Sequence, residues 1–275
     1  MIVHLIDGTY ELFRHFYGLN RAKNGKVPRY GAVAGVLNTV LSMIADGATH
    51  VGVATDHVIE SFRNRLWGGY KTGAGVEPAL LAQFWPLEDS LRAMGVAVWA
   101  MVELEADDAL ASAAAIASRD PRVEKVCIWT PDKDLSQSVR GDRIVQVDRR
   151  SNAVRNAAGV RSKFGVEPEL MPDYLALVGD AADGYPGIKG IGAKGAATLL
   201  TRYGKIEDFP PEVLGEQRPL ALLFKELATL KTDAALFDRV DELQWRGPAA
   251  DLDAVCERFG ISGISHRAAK AAKLI

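Results

Sequence analysis

Short apolar runs recur along the first part of the chain, at 2–6 (broken only by His4), 51–54, 96–102, 126–129 and 144–147, each too brief for a helix. They read as buried strands. Between them apolar positions return at helical period over 32–45, 78–94 and 107–118, so strands and helices alternate as in βαβ units. This predicts a mostly parallel sheet flanked by helices over residues 1–165. The stretch Gly68 to Gly75 holds four glycines in eight residues and is followed by an amphipathic segment, which predicts a loop or arch over about 68–92. From Val166 onward no strand pattern is found, and 166–275 reads as a helical region.

Acidic residues follow the strand ends. Asp7, Asp56, then Glu105, Asp107 and Asp108, and then Asp132 and Asp134 each come just after an apolar run, and Asp180 with Asp183 form a fifth place. Residues past the carboxyl ends of parallel strands meet in one crevice, so these side chains are expected to converge. Converging carboxylates repel, and divalent cations offset that repulsion. A ligand set of oxygens alone favours Mg²⁺ or Mn²⁺ over zinc or copper. Each piece also has an ordinary reading: Glu105 to Asp108 could cap a helix, Asp132-Lys133-Asp134 could be an exposed turn, and Asp7 could be a cap. Asp180 and Asp183, three apart, would point the same way on a helical turn.

Charge and composition narrow the class. With 33 basic and 35 acidic residues the net charge is −2, but setting aside the nine clustered acids leaves 33 basic against 26 acidic groups, a body able to hold phosphates. At 48% hydrophobic the chain is not disordered. Cys127 and Cys256 have no ligand spacing and read as core thiols of a reducing cytoplasm. No basic leader or long unbroken apolar stretch is present, so neither secretion nor membrane insertion is expected. The histidines lack zinc or triad spacing.

Two segments suit a phosphate partner. The run Gly187-Ile-Lys189-Gly190-Ile-Gly192-Ala-Lys194 is not a Walker loop; its glycines let backbone N–H groups approach phosphates where a helix begins. In Ser61 to Lys71, Arg63, Arg65 and Lys71 lie among Trp67 and Tyr70, so cations for a phosphate stand beside rings that can stack on bases, or else form an ordinary basic face with buried rings.

These residues resemble the 5′-nuclease family, which includes the 5′–3′ exonuclease domain of bacterial DNA polymerase I, phage 5′-exonucleases and flap endonucleases. The carriers are Leu5-Ile-Asp7-Gly8, Ser61-Phe-Arg63, Gly68-Gly-Tyr70-Lys71, Glu105-Ala-Asp107-Asp108, Thr130-Pro-Asp132-Lys-Asp134 and Gly179-Asp180-Ala-Ala-Asp183 through Gly192. The resemblance implies a PIN-like α/β core and a helix-hairpin-helix at about 180–203. It implies two divalent metals: Asp7, Asp56, Glu105, Asp107 and Asp108 for one, and Asp132, Asp134, Asp180 and Asp183 for the other. It implies Lys71, Arg63 and Arg14 as catalytic cations. It further implies DNA contacts at Tyr70, Gly187, Lys189, Gly190, Gly192 and Lys194, with K⁺ at the hairpin carbonyls. The partner implied is DNA with a 5′ end or 5′ flap, bound by a monomer.

The chain departs from the family where Ala181-Ala182-Asp183-Gly184 replaces the usual Glu-Ser-Asp-Asn, and where Lys-Thr-Gly-Ala-Gly replaces Lys-Ala-Gly-Arg. With no polymerase segment, it resembles a stand-alone paralogue. Two other classes are a DNA-structure-binding paralogue without catalysis and an RNA-cleaving toxin-type nuclease. The first is at odds with a complete acid set, and the second needs fewer acids and no helical hairpin.

Overall fold

The computed structural model describes residues 1–22 and 28–273. The remainder of the expected 1–165 and 166–275 units lies outside the described residues. One sheet is built from β1 (Ile2–Asp7), β2 (His50–Asp56), β3 (Ala97–Met101), β4 (Lys125–Trp129), β5 (Ile144–Asp148) and β6 (Ala153–Arg155). Its order is β3-β2-β1-β4-β5-β6, parallel throughout except for β6, which runs antiparallel to β5. The five parallel strands fall on the five apolar runs because a strand covered on both faces must be apolar on both. The short β6, with Ala153 and Val154 exposed, has no such signal.

Helices α1 (Gly8–Ala22), α2 (Gly31–Ala45) and α3 (Phe84–Ala93) cover one face, burying Val36, Val40, Leu87 and Leu91 with Ile6 and Val53. Helix α4 (Ala106–Arg119) covers the other, where Ala109, Leu110 and Ala113 meet Val3, Leu5 and Ile128. The expected arch over 68–92 is therefore shorter than its sequence suggests. Phe84, Leu87 and Leu91 sit at helical spacing, and burying that stripe makes α3 part of the core.

A second cluster is formed by α5 (Ala157–Phe164), α6 (Met171–Val178), α7 (Ala193–Tyr203) and α8 (Arg218–Ala228), with Leu175, Leu200 and Phe224 at its centre. The chain then returns to the sheet domain. Trp245 donates its Nε1–H to the Met94 carbonyl at 2.8 Å, and α9 (Leu252–Phe259) and α10 (Ile264–Ala271) bury Leu252, Val255, Ile264 and Ala268 in the cluster that holds α2. The described residues from Trp245 to 273 thus pack with the α/β core, in the cluster that holds α2. Among the described residues no helix is long and apolar enough to cross a membrane, and Cys127 and Cys256 are buried free thiols.

Candidate active site

From β1 the chain crosses to β2 and β3 on one side and later to β4 and β5 on the other, so the crevice opens between β1 and β4. Asp7 ends β1, and its Oδ1 accepts the Tyr10 N–H of α1 at 2.8 Å while Oδ2 accepts Thr130 Oγ1 at 3.0 Å. Asp56 ends β2, and its Oδ1 accepts the Ala106 N–H at the start of α4 at 2.8 Å. Two helix N-termini thereby orient two carboxylates toward the same opening. Burial pushes the Asp7 carboxyl up to about 7; the Tyr10 N–H pulls the other way, and the charges of Asp56 and Asp132 add to the rise. Burial also raises Asp56. Asp107, on the first turn of α4, is pushed well above the carboxylate range by burial and by Asp132, Asp7 and Asp134. Asp132 is exposed and accepts the Asp134 N–H at 3.0 Å.

Asp134, Asp180 and Asp183 bring carboxylate oxygens within 4.8 Å of one another. Asp134 Oδ1 is buried without a hydrogen-bond partner, and burial together with Asp132, Asp183 and Asp180 raises that carboxyl strongly. An anionic oxygen left unpaired inside a protein is costly, and three carboxylates facing each other, one of them with such an oxygen, form a ligand set for a hard cation. The residues present therefore fit a divalent metal. Lys133 Nζ lies 2.6 Å from Asp180 Oδ2. The sequence offered Lys133 only as part of a turn with an exposed ion pair; the pair forms, with Asp180 as its partner.

Glu105 and Asp108 have a different fate. Asp108 is 0% exposed and accepts four donors: Arg63 Nη1 and Nη2 at 2.7 and 2.8 Å, the Glu105 N–H at 2.9 Å and the Lys231 N–H at 2.8 Å. Four donors saturate a carboxylate, so Asp108 is not placed to hold a metal; it caps α4 and anchors Arg63. Arg63, 1% exposed, also donates to Glu105 Oε1 at 3.1 Å and to the carbonyls of Leu227 and Thr229. All of its donors are engaged, which removes it from the expected phosphate role. Tyr70 is corrected as well, because it is 3% exposed with its hydroxyl 3.3 Å from Glu105 Oε2 and cannot stack on DNA. Burial would raise the Glu105 carboxyl, yet Lys71 and Arg63 hold it below its usual range.

Lys71 joins the two acidic groups. Its Nζ lies 2.8 Å from Glu105 Oε2 and 2.9 Å from Asp183 Oδ1. Burial opposes its charge, but Asp183 and Glu105 outweigh it and raise the lysine well above its ordinary value. The backbone repeats the link: Lys71 N–H donates to the Asp183 carbonyl at 3.0 Å and Trp67 Nε1–H to the Gly184 carbonyl at 3.1 Å. A Cβ on Gly184, where φ is +82°, would stand 2.0 Å from the Gly69 oxygen, so the Gly in place of the family's usual Asn permits this contact. Arg14 instead pairs along its own helix with Glu11, and no hydrogen bond ties it to any of the nine acids.

Asp180 and Asp183 lie on a tight turn and not on the helical turn expected, since Asp180 and Tyr185 exchange backbone hydrogen bonds of 2.8 and 3.0 Å. Gly187 is buried; a Cβ there would lie 2.4 Å from the Gly179 nitrogen, so this glycine serves backbone packing and not a DNA contact. Lys189, Gly190, Gly192 and Lys194 are exposed around the N-terminus of α7, with Gly192 at its cap.

Residues 2–165 match the family described as 5′-3′ exonuclease, N-terminal resolvase-like domain, and residues 166–251 its C-terminal SAM fold. The chain belongs to the 5′-3′ exonuclease family. It is therefore a nuclease, a hydrolase. The 5′-3′ exonuclease of Buchnera aphidicola subsp. Baizongia pistaciae is 32% identical over 248 residues, covering 83% of this chain and 81% of that protein. DNA polymerase I of Pseudomonas aeruginosa is 36% identical over 259 residues, 87% of this chain, but the chain spans only 28% of that polymerase. A structure of the bacteriophage T5 D15 protein co-crystallised with metal ions superposes with TM-score 0.69 at 21% identity, covering 94% of this chain and 98% of that one. The Rad2 catalytic core in complex with DNA substrate shares the fold at TM-score 0.62 and 12% identity, covering 98% of this chain and 92% of that one.

Proposed function

We propose that this exonuclease-family chain hydrolyses DNA phosphodiesters at 5′ ends and at the junction of a 5′ single strand with duplex, using two divalent cations, Mg²⁺ or Mn²⁺. The observation that carries this reading is the buried, unpartnered oxygen of Asp134 within the Asp134, Asp180 and Asp183 cluster. Those three would hold one cation and Asp7, Asp56 and Asp107 the other, joined by Asp132, whose charge acts on Asp7 and Asp107 and which thereby leaves its expected group, while Glu105 is taken up by Arg63, Lys71, Ser61 and Tyr70. Bound divalent ions supply charge neutralisation at phosphate oxygens and a nucleophile at neutral pH.

The protein's own groups do the positioning. Thr130, Tyr10 and Ala106 fix Asp7 and Asp56 in place. Of the three N–H donors of Lys71, two face carboxylates, which leaves one for a phosphate oxygen. Lys189 and Lys194, among the exposed residues at the α7 N-terminus, suit the backbone of a duplex without reading its sequence. K⁺ at the carbonyls of residues 187–192, a monomeric state and a cytoplasmic location belong to the same proposal. The Glu11-bound Arg14 is left with a peripheral part.

A cleavage gel with a 5′-flap duplex and a single-stranded RNA, each with Mg²⁺, Mn²⁺ or chelator, tests it. Metal-dependent cutting of the flap and not the RNA is expected, and Asp7→Ala or Asp132→Ala should abolish it while DNA binding persists. Mg²⁺-dependent turnover retained in either variant would refute the assignment, and flap binding without cutting by the wild type would favour the non-catalytic paralogue.

A further inference from the structure

Trp85 is 66% exposed, the most exposed large hydrophobic side chain among the described residues, and yet it is not loose. Its Nε1–H donates to His57 Nε2 at 2.9 Å. With that nitrogen accepting, the proton of a neutral His57 sits on Nδ1, which donates to Glu88 Oε2 at 2.9 Å. Glu88 is 2% exposed and is itself held by Thr55 Oγ1 at 3.0 Å. A ring that meets water on most of its surface is thus oriented through two hydrogen bonds from a buried carboxylate. Core packing does not require that arrangement, and an exposed apolar surface that is deliberately fixed marks a binding function.

The surroundings say what binds. Trp85 borders a cavity of about 460 Å³ whose other walls include His57, Ile59, Gly73, Leu81 and Phe84. His57 directly follows Asp56 of the acidic crevice, and Gly73 lies two residues after Lys71, its N–H held by Glu60 Oε1 at 2.8 Å. The cavity is thus lined by the segments that directly follow Asp56 and Lys71. Glu60 is the one charged residue in its lining, so it repels phosphate and suits a flat, neutral group. Val58 and Leu81, both 39% exposed, extend the apolar surface beside the indole.

We infer that Trp85, positioned by His57 and Glu88, is a stacking platform for an unpaired nucleobase of the 5′ single strand next to the acidic crevice. The inference rests on the proposed action at 5′ single-strand junctions. Stacking makes no use of base-edge hydrogen bonds, so the platform accepts any base and discriminates only against its absence.

The test compares three DNAs, a 5′-flap duplex, the same duplex with abasic flap residues and a blunt duplex, bound in chelator so that cleavage plays no part. Trp85→Ala should bind the normal flap about tenfold more weakly, which is about 1.4 kcal/mol, and leave the abasic flap and blunt duplex unchanged. Trp85→Phe should recover most of the loss. Indole emission should change with the normal flap and not the abasic one, because Trp67, Trp99, Trp129 and Trp245 are buried or half-buried. Equal weakening on all three DNAs, or no weakening on the normal flap, overturns the platform. A wild type that prefers the normal flap yet never cuts would instead sink the catalytic reading and leave the platform standing.

Discussion

Two carboxylate groups lie on either side of Lys71 and have been treated in opposite ways by the fold. Glu105 and Asp108 are buried with every oxygen answered, by Arg63, Lys71, Ser61, Tyr70 and backbone N–H groups. Asp134, Asp180 and Asp183 are buried as well, but with one cation each for Asp180 and Asp183 and an unanswered oxygen on Asp134. The functional group is the same in both places. Donor count is what separates a carboxylate that holds the protein together from one that awaits a ligand.

Removing the answering cation on the first side should have the largest effect. Arg63→Met leaves the buried Asp108 without a counter-charge, while Glu105 keeps Lys71, and a loss of about 3–5 kcal/mol in denaturant unfolding is expected. A change below 1 kcal/mol would erase the contrast. On the second side Asp134→Asn should do the reverse to the fold. It removes a repelled charge, so the metal-free protein should melt no lower than wild type, while flap cleavage falls about a hundredfold or more.

The same contrast has a pH signature. Burial raises the Asp7, Asp107 and Asp134 carboxyls, so the native chain keeps protons that the unfolded chain has already released. Stability contributed by Asp7 therefore declines as pH rises through the window from about 4, the ordinary carboxyl value, to about 7. Metal-free protein should melt at a lower temperature at pH 8 than at pH 5, with Mg²⁺ restoring the difference by binding only the folded state. A melting temperature that is flat with pH would sink this. The smallest effect is expected outside both groups: Lys189→Ala should weaken DNA binding uniformly across sequences and lower the salt slope by about 1.

The sheet and the meeting of the acids were readable because they depend on local pattern. Apolar runs mark doubly covered strands, and strand ends in a parallel sheet lead to one edge. What escaped was decided by distant partners. Arg63 reads as a free cation until the carbonyls of Leu227 and Thr229 close over it, and nothing near residue 63 announces them. Asp107 and Asp108 are adjacent in the sequence, but one helical step turns one to the crevice and the other to Arg63. The capping reading of the Glu105 to Asp108 stretch held the answer for Asp108. Phe84, Leu87 and Leu91 belong to the helical pattern legible over 78–94, which the helix at 84–93 bears out, whereas the arch reading of 68–92 overran it. Asp180 and Asp183 reached one another through a hydrogen-bonded turn, so their spacing pointed to the right neighbours by the wrong geometry.

One uninterrupted stretch carries Asp180 and Asp183, the glycine-packed backbone at 187 and the exposed residues leading into α7. The Gly69–Gly184 contact clamps its near end to the segment that bears Lys71. On the proposed reading the stretch would act as a ruler: a double helix gripped at Lys189 and Lys194 would present its strand to the acids at a set number of nucleotides from the grip, so lengthening this stretch should shift the cut along the strand.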